Sequence, residues 1–63
     1  MKAHQILTMA RNASRAMAIS THIGAELSIN AGQYLYKFKD GSALLITGKA
    51  MRAFKNADAA INQ

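Results

Sequence analysis

The side chains with catalytic potential in this 63-residue sequence are two histidines and a few serines. Catalysis needs a base, an acid or a nucleophile held together in a pocket, and a domain this small has little volume to form one. His4 and His22 lie on one arc of a predicted helix, but about 27 Å of helix separates them. The other candidates are Ser14, Ser20 and Ser28. We therefore predict that the protein is not an enzyme.

Gly48-Lys49 is a second candidate for chemistry, because phosphate-binding loops end in glycine, lysine and then serine or threonine. The preceding segment lacks a glycine at the required spacing, and Ala50 stands where the hydroxyl residue is needed. This excludes nucleotide hydrolysis. Cysteine is absent, and His4 and His22 are the only strong nitrogen ligands, so a structural zinc site has too few donors. We expect neither a metal nor a cofactor.

Lysine and arginine outnumber the acidic residues eight to three, which gives a net charge of +5. Such a surplus attracts phosphate through long-range potential and counterion release, without sequence recognition. The predicted nucleic-acid-binding residues form three groups: Arg11 and Arg15 on the first helix, Lys37 and Lys39 near a hairpin tip, and Lys49, Arg52 and Lys55 along a last helix. The alternative is that the charge only keeps an alanine-rich protein soluble.

The helices and strands that carry these residues are predicted from the spacing of the apolar residues. From Lys2 to Ile23 apolar residues recur at helical spacing, which predicts one amphipathic helix that ends near Gly24. Residues 49–61 return to helical spacing and predict a C-terminal helix. Between the helices the spacing is that of strands, so the fold class is α+β, with helices covering one face of an antiparallel sheet.

The strands form a predicted meander of two or three members. Asp40-Gly41 separates two strand-like segments, 33–39 and 42–47, and is a strong signal for a two-residue hairpin turn. A weaker strand, 25–29, precedes them through an Asn-Ala-Gly loop. The predicted order is therefore helix, two or three strands and helix (αβββα), in a single small domain that spans residues 1–63.

A two-residue turn places Lys39 opposite Ser42, and this pairing defines both faces of the sheet. One face carries the aliphatic residues Leu35, Leu44 and Ile46, with Leu27 and Ile29 if the third strand forms. The other carries the aromatic residues and three smaller neighbours: Tyr34, Tyr36, Phe38, Ala43, Leu45 and Thr47.

Two apolar faces on one antiparallel sheet require an explanation. In the first alternative the helices divide between the faces, or the aromatic face is the true core and the aliphatic face is only partly covered. In the second the aromatic face, represented by Tyr34, Tyr36, Phe38 and Leu45, is a homodimer interface. In the third its aromatic rings form a stacking platform for unpaired bases.

Composition favours a protein that needs a partner. Hydrophobic residues make up 51% of the chain, but 13 of them are alanine, so the core is thin. No segment reaches the roughly 18 apolar residues of a membrane span, and no secretory signal is visible, which predicts a cytoplasmic protein with no membrane partner.

The predicted function is a non-enzymatic binding module, a homodimer that binds nucleic acid through basic and aromatic surface, with no small-molecule substrate. The alternative is a small regulator or inhibitor, of the kind that phages and mobile elements encode. It acts on a host protein through the aromatic sheet face or the helix arcs. Convergence of the cations on one face favours nucleic acid, whereas dispersed cations with an exposed aromatic patch favour a protein partner.

Overall fold

A computed structural model describes residues 3–56, 58 and 59. Four strands form one antiparallel sheet in the order β1-β2-β3-β4, so the chain is α+β with a strand meander, as predicted. Nothing in the described part of the chain forms a helix with the length and apolar character to cross a membrane. The elements are α1 (Ala3–Met9), α2 (Ala13–His22), β1 (Glu26–Asn30), β2 (Gln33–Lys37), β3 (Ala43–Thr47) and β4 (Ala50–Phe54).

The predicted single N-terminal helix is wrong, because the chain breaks between α1 and α2. Asn12 has extended backbone angles, φ −150° and ψ 166°, and its Oδ1 accepts a hydrogen bond of 2.8 Å from the Arg15 N–H. Asparagine is among the best N-cap residues, so it starts a new helix here. In α2, Ile19 packs half-buried against the core.

The predicted C-terminal helix is also wrong over the residues that form β4. Gly48 has φ +58° and opens a two-residue turn that pairs Thr47 with Ala50, and glycine at that position is typical of a type II′ hairpin turn. Alanine favours a helix when the segment is considered alone, so pairing with the buried central strand β3 decides the outcome. β4 supplies a hydrogen-bonded neighbour for β3, and Met51 and Ala53 pack against the core.

The described residues after β4 include a helical pair. Asn56 Oδ1 accepts a hydrogen bond of 2.8 Å from the Ala59 N–H, and residues 58 and 59 are helical. Residues 57 and 60–61 of the predicted helix lie outside the described residues. The order αβββα is therefore replaced by two helices and four strands.

The hairpin between β2 and β3 is confirmed, but its predicted register is wrong by one residue. Lys37 pairs with Ala43, and the Phe38 N–H donates to the Ser42 carbonyl at 2.9 Å, which leaves a three-residue loop at 39–41. Asp40 explains the difference. Its Oδ1 accepts from the Ser42 N–H at 3.0 Å and from the Ser42 hydroxyl at 2.6 Å, and this geometry excludes the two-residue turn.

The shifted register recombines the two predicted faces, because a one-residue slip moves every side chain of a strand to the other face. Tyr36 now pairs with Leu44, and Tyr34 with Ile46, so aromatic and aliphatic residues share the face beneath the helices. The buried core is the cluster Ala3, Ile6, Ala10, Ala16, Tyr36, Phe38, Leu44 and Ile46.

The helices cover the sheet unevenly. α1 packs on β3 and β4 and against α2. At the far edge, all five residues of β1 are exposed, including the large apolar side chains of Leu27 and Ile29. The predicted strand 25–29 is confirmed as β1, but the Asn-Ala-Gly loop is a two-residue turn, since Asn30 pairs with Gln33.

Ser20 gives a stability prediction, because it is fully buried in α2 and its hydroxyl has no hydrogen-bond partner in the part of the chain described. A buried group without a partner loses about 1–3 kcal/mol of solvation. We expect Ser20→Ala to raise the free energy of unfolding by about 1 kcal/mol, which corresponds to roughly 4–8 °C in Tm for a domain of this size. Urea and thermal unfolding measure it. Ser14→Ala, at an exposed position of the same helix, is the control, and an unchanged or lower Tm for Ser20→Ala contradicts the prediction.

The turn between β1 and β2 gives a second stability prediction. Ala31 has φ +51° and Gly32 has φ +78°, the positive pair that defines a type I′ turn. A left-handed conformation costs an L-residue such as alanine about 1–2 kcal/mol, and asparagine adopts it more readily. We expect Ala31→Asn to stabilise the fold by about 1 kcal/mol in urea unfolding. Ala31→Val should destabilise it, and the opposite order would contradict this turn geometry.

Candidate nucleic-acid interface

The sheet has two ends with different surroundings. Cross-strand pairing places Asn30, Gln33, Thr47 and Ala50 in one row, here called the cleft end. The same pairing places Glu26, Lys37, Ala43 and Phe54 in a row at the opposite end. α1 begins at the opposite end of the sheet, where the Ser42 Oγ accepts a hydrogen bond of 2.9 Å from the Ala3 N–H. α1 therefore runs toward the cleft end, and α2 runs back toward the opposite end.

A cleft of about 620 Å³ opens where the connection between the helices meets the turn between β3 and β4. Asn12 caps α2 and so directs the start of this helix to the cleft, while Gly48 allows the tight turn that brings Lys49 to the other wall. Arg11 and Lys49, which the sequence placed on two different helices, thus line one site. The full lining is Arg11, Asn12, Ala13, Ser14, Met17, Gly48 and Lys49.

The charges of the described residues are divided between the two ends. Arg11, Lys49 and, in the first turn of α2, Arg15 are all exposed and lie at the cleft end. The described acidic residues belong to the opposite end: Glu26 starts β1, Asp40 lies in the loop between β2 and β3, and Asp58 follows β4. The cleft end is therefore wholly cationic among the described residues. The start of α2 adds partial positive charge from its backbone N–H groups.

The second and third predicted cation groups are rearranged. Lys37 and Lys39 come together with Lys55 at the opposite end, where the acidic residues balance them. The third group is spread along β4 instead of lining one face of a helix. Lys49 precedes the strand, Arg52 lies in its middle and Lys55 follows it. Arg52 occupies the middle of β4, on the outer sheet face away from the helices, and its guanidinium lies 5.4 Å from the Phe54 ring centroid.

The predicted aromatic interface lies in the core of the chain. Tyr36 and Phe38 are 2% and 6% exposed, and Tyr34 is half-buried on the same helix-covered face. Leu45, which the predicted register placed beside them, is on the outer face and is 6% exposed. This arrangement differs from all three alternatives for the sheet, because the core face combines the aromatic residues with Leu44 and Ile46 of the predicted aliphatic face. Tyr36 and Phe38 therefore present little surface on which a base could stack.

The histidines differ in placement from the prediction. Both are exposed, and because α2 folds back along α1, His4 and His22 both lie at the opposite end of the sheet instead of far apart on one helix. No group of three or more histidine, aspartate or glutamate residues that could hold a metal ion occurs within the described ranges.

Comparison with protein-family models, curated proteins and solved structures gives no match for this chain. Asn12 was not predicted to belong to a site, and Ser14 and Gly48 were considered only for catalysis and nucleotide hydrolysis. Two signals point to the roles of Asn12 and Gly48: asparagine is a preferred helix N-cap, and Gly-X is a preferred hairpin turn.

Proposed function

We propose that this protein is a non-enzymatic binding module of the cytoplasm that holds the phosphate backbone of nucleic acid in the cleft. The observation that supports it is the convergence of Arg11 and Lys49 on one site, with Arg15 nearby and the described acidic residues at the other end of the sheet. Long-range attraction and counterion release then favour a polyanion at this end of the molecule.

The cleft residues are suited to contact phosphate and not to read bases. The Arg11 guanidinium can donate two parallel hydrogen bonds to phosphate oxygens, and Lys49 adds a compact positive charge. The Ser14 hydroxyl is a further donor at the wall of the cleft. Because Tyr36 and Phe38 are buried, base stacking on them does not contribute. We therefore expect binding with little sequence preference and a strong dependence on salt.

The test is fluorescence anisotropy with short labelled duplex DNA, single-stranded DNA and single-stranded RNA, in a salt series from about 50 to 200 mM. If all three cleft-end cations contact phosphates, the logarithm of the association constant falls with the logarithm of salt at a slope of about −2.7 for duplex DNA. No detectable binding at the lowest salt rejects the proposal. That result would favour the predicted alternative, a regulator that binds a host protein, acting through a surface other than the buried aromatic face.

A further inference from the structure

We propose that β1 is a pairing strand through which two copies of this chain join, edge to edge and antiparallel, about Ser28. This inference concerns the sheet edge and does not depend on the cleft or its ligand. It differs from the predicted homodimer, whose interface was the aromatic face that the structure buries.

The backbone of β1 has hydrogen-bonding groups that face away from β2. Asn30 and Gln33 close the two-residue turn, so they form a hydrogen-bonded pair. Pairs alternate along an antiparallel ladder, which makes Leu27 and Ile29 members of non-hydrogen-bonded pairs with β2. The N–H and carbonyl groups of these two residues therefore point to the free edge, where another strand can accept and donate.

The side chains at this edge are apolar and open to solvent. Leu27 is 43% exposed and Ile29 is 64% exposed, and both lie on the face that the helices cover elsewhere. α1 packs over β3 and β4, at the other side of the sheet, and Leu27 and Ile29 remain exposed. Burial of these side chains therefore requires something outside the described chain.

Charge distinguishes β1 from the other edge strand. Natural sheets protect exposed edges with lysine, proline or bulges, and β1 has none of these, only Glu26 at its first position. β4 carries Arg52 in its centre and is flanked by Lys49 and Lys55. Two copies of β4 would bring like charges together, so self-association through β1 is favoured.

The sequence of β1 is self-complementary when a two-fold axis passes Ser28. Leu27 then faces the partner's Ile29 and Ile29 faces the partner's Leu27, so the outward backbone groups pair and the apolar side chains adjoin. Glu26 faces the partner's Asn30 at each end, which avoids a pair of like charges. Another register would shorten the ladder, since β1 has only five residues.

This pairing joins the two sheets into one and places the helices of both copies on the same side. A five-residue ladder with four apolar side chains buries less than a standard interface of about 1,600 Å², so we expect a dissociation constant in the micromolar range. The dimer still removes two exposed sheet edges and covers the apolar residues that the helices leave open.

Sedimentation equilibrium over a wide concentration range tests the proposal. We expect the wild type to shift from monomer to dimer as its concentration rises. Two double variants, Leu27→Lys with Ile29→Lys and Leu27→Glu with Ile29→Glu, should each remain monomeric, because like charges face one another. Mixing the two variants should restore a dimer. This result would show that like-charge repulsion between the paired strands, and not the altered net charge of the protein, keeps each variant monomeric. Ala50→Lys, on the other edge strand, should dimerise like the wild type.

A mixed double variant tests the register. Leu27→Glu with Ile29→Lys should dimerise if residue 27 faces residue 29 of the partner. It should not dimerise if the two-fold axis passes through residue 27 or residue 29 instead, because that residue would then face its own copy with the same charge. Circular dichroism checks the fold of each variant, and slower amide exchange at Leu27 and Ile29 with rising wild-type concentration reports the ladder directly. A wild type that stays monomeric, like-charge variants that still dimerise, or a mixture that does not pair would each overturn the proposal.

Discussion

Replacement of Tyr36 by alanine is expected to unfold the protein at every concentration. Tyr36 is 2% exposed and is the largest side chain fully buried beneath the helices. Truncation of a buried aromatic residue costs about 3–5 kcal/mol, through lost apolar burial and the cavity left behind. A core of this size rarely supplies more than about 3–5 kcal/mol of stability, so little remains. Far-UV circular dichroism and urea titration measure the loss.

Two control variants make the Tyr36 result specific. Tyr36→Phe keeps the ring and should retain the fold, and Leu35→Ala, at a half-buried position on the outer face, should cost clearly less than Tyr36→Ala. If Tyr36→Ala remains folded but no longer dimerises, while the like-charge variants at Leu27 and Ile29 still do, the aromatic face is a dimer interface after all. If it folds normally at all concentrations, the helix-covered core described above is wrong.

Loss of two cleft cations is expected to produce the largest effect on nucleic-acid binding. In the double variant Arg11→Ala with Lys49→Ala, each lost phosphate contact lowers the salt slope by about 0.9, and at about 0.1 M salt the two together weaken duplex binding roughly 60-fold. Arg11 and Lys49 are both exposed, so the fold should persist. Anisotropy with labelled duplex DNA measures the affinity, and thermal unfolding checks the fold.

The matched control removes the same charge from the other end of the molecule. Lys39→Ala with Lys55→Ala also deletes two exposed cations, but these lie at the end that carries the described acidic residues. We expect only a small decrease in affinity and a nearly unchanged salt slope. Equal losses in the two double variants would show that binding depends on net charge alone and that the cleft is not the site.

The local signals in the sequence predicted much of the fold. Gly24 marked the end of the second helix, Asp40-Gly41 marked a hairpin, and alternation identified the strand that became β1. Each of these depends on a backbone preference of a few adjacent residues, which tertiary packing did not need to change. Asn12 is also a typical N-cap residue, but the apolar spacing continues across it and favours one long helix.

The cleft could not be predicted, because its walls come from segments far apart in the chain. Arg11 and Lys49 meet only if 50–54 forms a strand, which returns the chain to β3, and alanine-rich spacing in that segment favours a helix when it is read alone. Pairing with the buried strand β3 provides hydrogen bonds and apolar contacts that outweigh this intrinsic preference, as tertiary context often does.

Composition and local spacing are enough to predict a small, cationic α+β chain with a thin, alanine-rich core and no cysteine. Which surfaces remain open depends on how distant segments pack and on the register of the sheet. The Asp40 carboxylate binds Ser42 in a hairpin offset by one residue, and this offset places Tyr34 and Tyr36 on the same face as Leu44 and Ile46. Side-chain direction alternates along a strand, so a one-residue difference in register changes which residues share each face of the sheet.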